Sequence, residues 1–229
     1  MSEDVMAAAC AEGARPLWAS QSWLQSDALD ALAAVNEQCL ELLCEQAAAR
    51  TPARPRPALL KELEALWYGL DAGARRRAAR CPFLLVDAEF ARAPRRPWLA
   101  AGGIRDQDWS APPPPFFTVP RTVTVTRLVL TYAWHLACGE PAAARLFLGM
   151  PAQLAERFAS RTLPEVFQLA EGEPGLLRPR WPDRVPVWRD LLAAAKGGEP
   201  AALERCRIRG LQLLAADARQ SESRRVEAS

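Results

Sequence analysis

Thr126–Glu171 reads TRLVLTYAWHLACGEPAAARLFLGMPAQLAERFASRTLPEVFQLAE. Its first part predicts a helix with three apolar rows: Leu128/Tyr132/Leu136, Val129/Ala133/Ala137 and Leu130/Trp134/Cys138. Only Arg127, Thr131 and His135 form a polar row. A helix apolar around most of its circumference is not the surface helix of a monomer. Leu128, Val129, Tyr132, Trp134 and Leu136 are therefore assigned to a buried seam. The sequence leaves two places for that seam, the middle of a bundle or a subunit interface.

The second part predicts three short helices. Gly139 ends the central helix and Pro141 begins the next piece, which stops at Gly149, a residue suited to the left-handed position after a helix. Pro151–Ala159 follows, with Leu154, Ala155 and Phe158 inward. Ser160, Arg161 and Thr162 make a turn. Thr162 and Glu165 then form a capping box that starts a helix near Leu163 and carries it to Glu171. Two short helices across a three-residue turn have the form of a helix-turn-helix.

Upstream, the pattern is also helical. Ser26 opens SDALDALAAVNEQCLELLCEQAAA, where Leu29, Leu32, Val35, Cys39, Leu43 and Ala47 share one face. Asn36, Glu37, Glu41 and Glu45 fall off that face. TPARPRP breaks the helix, and Ala58–Leu70 predicts another, burying Leu59, Leu63, Leu66 and Trp67. Asp71 reads as the N-cap of AGARRRAAR, whose Arg75, Arg76, Arg77 and Arg80 are the densest basic cluster in the chain. A solvated helix face is the default for such a cluster, and a phosphate-binding patch is the sharper reading.

Between these regions the signals weaken. CPFLLVDAEF, residues 81–90, is open between a buried strand and a helical turn. Residues 91–117 hold clustered prolines and read as loop. TVPRTVTVT, residues 118–126, alternates like a strand and is open between that and an extended lead into the central helix. Trp18, Trp23 and Leu24 in the mixed lead-in suit the covering of a groove. Near the C-terminus, Trp181 lies among Arg178, Arg180 and Arg184, a grouping that stacks internally more often than it binds nucleic acid. Val187–Lys196 and the stretch from Glu199 to Arg219 predict two more helices, the last lined by Leu203, Cys206, Ile208, Leu211 and Leu214.

The expected architecture is all-α, a helical bundle with a helix-turn-helix-like C-terminal unit and room for one short strand or hairpin between its halves. Residues 1–107 form an N-terminal helical region, 108–122 a Pro-rich linker, 123–218 a C-terminal helical domain and 219–229 a disordered tail. Half of the residues are hydrophobic and only 7% aromatic, with alanine and leucine dominant, which favours helix over sheet.

Composition argues against several function classes. Net charge is +2, too small for bulk nucleic-acid binding, although residues 121–229 carry +4 and residues 1–120 carry −2. The N-terminus is acidic and lacks a secretory pattern, and no apolar run reaches about 18 residues. Six cysteines without a C-x-x-C pair read as reduced core residues, so a cytoplasmic protein with no membrane partner is expected. The one histidine, His135, has no ligand partner at metal spacing, and hydrolase, zinc-protease and phosphate-loop motifs are absent. No catalytic residue, metal or cofactor is assigned, and the chain is read as a non-enzyme.

From Leu130 to Asp217 the order of residues resembles the D subunit of the bacterial flagellar master transcriptional activator. The features are Leu130–Leu136, Ala142–Gly149, Leu154–Ala159, Thr162–Pro164, Leu169–Glu171 and the leucine-rich helix Leu203–Asp217. The resemblance implies an all-α domain, dimeric through its first helices, that works with a zinc-bearing second subunit to activate transcription. The long N-terminal part has no counterpart in that family. The would-be recognition helix offers Glu165, Gln168 and Glu171 but no arginine or lysine, so DNA contact would fall to Gln168 and to Arg157, Arg161, Arg178, Arg180 and Arg184. The expected function is transcription regulation, with DNA bound weakly or through a protein partner subunit in a homo-oligomer. The alternative is a helical protein–protein interaction adaptor.

Overall fold

Asn36 shows how the two ends of the N-terminal half are joined. It lies on α1 (Ser26–Ala48), the helix that the leucine and cysteine spacing predicts. Leu32, Cys39, Leu40 and Leu43 are buried on the same face, and Asn36 is fully buried among them. Its amide donates to the carbonyls of Ala79 at 3.1 Å and Phe83 at 2.9 Å, while its oxygen accepts the Leu85 N–H at 2.9 Å. The expectation that Asn36 falls off the apolar face is corrected: a buried amide satisfied on both sides pins residues 79–85 to α1.

The computed structural model describes residues 26–49, 56–90, 114–173 and 175–227. The readings of Cys10, of Trp18, Trp23 and Leu24, and of the Gly102-Gly103 pair fall outside these residues.

The helix predicted over Ala58–Leu70 is two helices, α2 (Ala58–Glu62) and α3 (Glu64–Tyr68), interrupted at Leu63. The Trp67 indole N–H reaches across the interruption to the Leu59 carbonyl at 3.1 Å. Asp71 then caps α4 (Ala72–Ala79), its carboxylate accepting the Ala74 N–H at 2.7 Å. Ala74 and Ala78 are buried where α4 lies against α1 and, further along the chain, α9.

Of the two readings of residues 81–90, the extended one holds. Val86–Asp87 (β1) pairs antiparallel with Arg178–Pro179 (β2), Val86 opposite Pro179 and Asp87 opposite Arg178. The sheet is short, and it ties one half of the chain to the other.

The central helix, α5, spans Thr122–Gly139. The threonine–valine alternation ahead of Arg127 is therefore mostly helical, against its local strand character. The hydroxyls make this possible: Thr122 donates to the Val119 carbonyl at 2.6 Å and Thr126 to the Thr122 carbonyl at 2.8 Å, so both side chains are buried with their donors satisfied. Around α5 lie α1, α6 (Pro141–Leu148), α7 (Ala152–Ala159) and α8 (Leu163–Gly172). These neighbours bury Val129, Leu130, Ala133, Leu136 and Ala137 within one chain. Gly149 takes φ 67°, the left-handed conformation expected after α6.

α9 (Val185–Gly197) and α10 (Pro200–Glu227) complete the fold. The disordered tail expected over 219–229 is corrected: α10 continues as helix to Glu227. The division into separate N- and C-terminal domains is also corrected. One hydrophobic core runs from Leu32 to Leu214. Three aromatic contacts cross between the halves: Trp67 with Trp188 at 5.8 Å, Phe83 with Trp181 at 5.7 Å and Phe90 with Phe158 at 6.1 Å between ring centres. The end of the expected linker belongs to the same body. Phe116 and Phe117 are buried, and Arg121 pairs with Glu41 and Glu45 of α1, each at 2.6 Å. Among the described residues, no helix is long and apolar enough to cross a membrane.

Candidate functional site

The α7–α8 unit is seated on α5 through side chains that reach its turn. Trp134 donates its indole N–H to the Arg161 carbonyl at 2.8 Å, and the Cys138 thiol lies 3.6 Å from the Ala159 carbonyl. Leu154, Ala155 and Phe158 turn one face of α7 inward, and Val166 and Ala170 do the same for α8. The capping box forms as the sequence predicts. The Glu165 carboxylate accepts the Thr162 backbone N–H at 2.7 Å and its hydroxyl at 2.9 Å. These two donors hold the Glu165 carboxyl below its ordinary range.

The outward face of α8 presents Pro164, Glu165, Gln168 and Glu171. Glu171 is paired with Arg127 of α5, whose guanidinium also lies 5.2 Å from the centre of the Phe167 ring. The surface is thus mildly acidic, with one amide able to read a base edge.

The six residues assigned to DNA contact are not brought together. Arg157, Arg161 and Gln168 belong to the α7–α8 unit, Gln168 exposed and the two arginines half-buried. Arg178 and Arg180 lie on and just after β2, and Arg184 is exposed at the start of α9. Arg178 donates to the Pro114 carbonyl at 3.0 Å. Arg180 corrects the expectation outright: it is only 4% exposed. Its guanidinium donates to the Leu84 carbonyl at 2.6 Å and to the Leu148 carbonyl, clamping the 84–85 segment to the end of α6. Burial pulls its pKa below the usual arginine value, partly offset by Asp87 and Asp217. A side chain committed inside in this way has no face to offer a phosphate.

Trp181 packs internally, as the likelier of its two readings has it. Its ring meets Phe83 edge-on, and its indole N–H donates to Asp217 at 2.7 Å. In the seam assigned to α5, Val129, Tyr132 and Leu136 are buried within the chain and Trp134 is half-buried against the α7 turn, whereas Leu128 remains 38% exposed. His135 is exposed on the polar row.

Two open spaces among the described residues are small or shallow. A void of about 10 Å³ beside Arg180 and Trp188 has room for one water molecule at most. A groove of about 540 Å³ between α9 and α10 is edged by Asp190, Glu199, Arg205 and Arg209. Asp190 and Arg209 pair across it at 2.7 Å. Among the described residues, no group of three histidine, cysteine or carboxylate side chains is placed to hold a metal. The structure also gathers elements that the sequence keeps apart: Arg77 of α4 reaches the Ala195 carbonyl in the last turn of α9, and Lys196 of α9 lies against Gly69, the residue after Tyr68.

Comparison with protein-family models, with curated proteins and with solved structures gave no match. The functional reading therefore rests on the chain's own residues.

Proposed function

We propose that this chain is a non-enzymatic, cytoplasmic transcription regulator of flagellar-activator type, which meets DNA weakly by itself or through a partner subunit. The observation that carries the reading is the α7–α8 unit: two short helices, a three-residue turn and a formed capping box, seated on an apolar central helix in the order that the resemblance implies. The resemblance adds an oligomer to this picture. The acidic outer face of α8 favours help from a partner over direct reading of bases, because its carboxylates repel phosphate.

The test is binding of the full chain to promoter DNA at low salt, alone and with a zinc-bearing second subunit. Association that weakens with salt and falls in R157A/R161A is expected. No affinity in either arrangement would remove the reading. A second reading, a helical adaptor, draws on the same α8 face, whose Glu165 and Glu171 suit a basic protein surface. Pull-down combined with sizing separates it, since a monomer that captures no partner would count against an adaptor.

A further inference from the structure

α4 and its C-cap carry four arginines, Arg75, Arg76, Arg77 and Arg80, and none of them has an ion pair among the described residues. Elsewhere Arg56, Arg121, Arg127, Arg189, Arg207 and Arg209 each meet a carboxylate within 4.0 Å. On α4, Arg76 and Arg80 are exposed one turn apart on one face. Arg76 reaches only the Ala72 carbonyl, at 3.4 Å. Arg77 lies beside them and is fixed to the last turn of α9, its Nε donating to the Ala195 carbonyl at 2.7 Å.

That contact brings in a further cation from α9. Lys196 is exposed and sits against Gly69, where a Cβ would come within 2.5 Å of its ammonium nitrogen. Gly69 follows Tyr68, which at 59% is the most exposed of the large apolar side chains among the described residues. The carboxylate nearest to α4 in sequence, Asp71, is engaged by the Ala74 N–H and held ionised by that bond and by Arg77 and Arg75. It offsets one charge.

Cations at the ends of α4 and α9 have a structural use, since each helix C-terminus carries about half a negative charge. Two half charges, Asp71 and Glu199 do not neutralise five cations, so the surface stays positive. Its chemistry separates candidate partners. Stable protein interfaces are built round a desolvated apolar centre. Here the exposed residues of Ala72–Arg80 are Ala72, Arg76 and Arg80, and the one large exposed ring, Tyr68, precedes Gly69, against which Lys196 lies. Arginine forks that match phosphate, with an aromatic face beside them, are the means by which proteins hold nucleic-acid chains.

We propose that Tyr68, Arg76, Arg77, Arg80 and Lys196 form a nucleic-acid contact, the cations holding phosphodiesters and Tyr68 stacking on a base where one is unpaired. The proposal rests on the DNA reading above. It adds a second contact on α4, in the part of the chain outside the family resemblance.

The test uses the full chain with labelled duplex and single-stranded DNA of one random sequence, followed by anisotropy across a salt series. R76E/R80E/K196E, folded by circular dichroism, is expected to lose at least about tenfold in affinity and to flatten the log–log salt dependence by about three. The milder R76Q/R80Q/K196Q serves if charge reversal impairs folding, and should lose in the same direction. Y68A is expected to weaken the single strand more than the duplex if unpaired bases are the source of the stacking, and neither arm if phosphate alone is held. Wild-type binding that the triple variants leave unchanged would overturn the α4 contact while the DNA reading stands. Equal binding to poly-glutamate with the same variant dependence would make the partner an acidic protein and overturn it too. Absence of binding to either DNA by the chain alone also overturns it. The DNA reading falls with it only if the second subunit fails to restore association.

Discussion

Phe83 occupies the space that a side chain on Gly210 would need: a Cβ there would lie 2.1 Å from the end of the ring. Gly210 is inside α10, where alanine normally stabilises a helix by about 1 kcal/mol over glycine. Here the collision dominates. G210A is expected to lower stability by about 1–3 kcal/mol, the usual range for overfilling a core. Denaturant midpoints measure it. F83L should relieve part of the loss in the double variant, and a stabilised G210A would show that α10 does not approach the 81–85 segment so closely.

Arg180 is expected to act as a structural residue. R180M leaves the Leu84 and Leu148 carbonyls without their donor, at about 1–3 kcal/mol for each buried group. Unfolding free energy should fall accordingly, while the salt dependence of DNA association stays as in the wild type. A variant of normal stability with a weakened salt dependence would place Arg180 at the surface after all.

Acid should loosen the two capped helices. The Asp71 carboxyl is held below its ordinary value chiefly by the Ala74 N–H, and the Glu165 carboxyl by the Thr162 N–H and hydroxyl. A folded pKa below the unfolded one gives stability that is present above the ordinary carboxylate value, about 4, and is lost as pH falls through the folded value. Melting temperatures followed from neutrality to about pH 3 should drop along that limb. D71N, which keeps a capping side chain, and E165Q should each make the drop shallower. An unchanged acid limb in the double variant would assign it to other groups.

Thiol labelling should be ordered by burial. Cys39 and Cys81 are buried in the core; burial pushes the Cys81 thiol up to about 12 and raises Cys39 as well. Cys138 is exposed on α5. Among the five cysteines of the described residues, alkylation at mildly alkaline pH, read by peptide mass, is expected to modify Cys138 first, then Cys44 and Cys206, and to reach Cys39 and Cys81 only on unfolding. Labelling of Cys39 at the pace of Cys138 would mean that α1 opens readily from the body.

What the sequence made legible is what nearby residues decide. The faces of α1, the Asp71 cap, the Gly149 stop and the Thr162–Glu165 box all depend on partners within a turn or two. Asn36 was misplaced because its partners stand more than 40 positions away, at residues 79–85. Arg178 and Arg180 look equivalent by strand alternation, but β2 ends at Pro179, and the carbonyls that hold the Arg180 guanidinium inside belong to Leu84 and Leu148, 96 and 32 positions away. In the candidate site, the faces of α7 and α8 could be read from spacing. The meeting of Tyr68, α4 and Lys196 could not, because it depends on how α9 lies against α3 and α4.

The rings that cross from one half to the other also say how this chain could be taken apart. A cut between Phe90 and Pro114 would leave Trp67, Phe83 and Phe90 on one piece and Trp188, Trp181 and Phe158 on the other. Each piece would keep helix packing of its own, α1 with α2, α3 and α4 on one and α5 with α6, α7 and α8 on the other, but would bare the rings and the strand that meet across the cut. Produced as two polypeptides, they would cover those rings only by finding one another, which makes the molecule a ready-made split reporter whose reassembly announces that its halves have met.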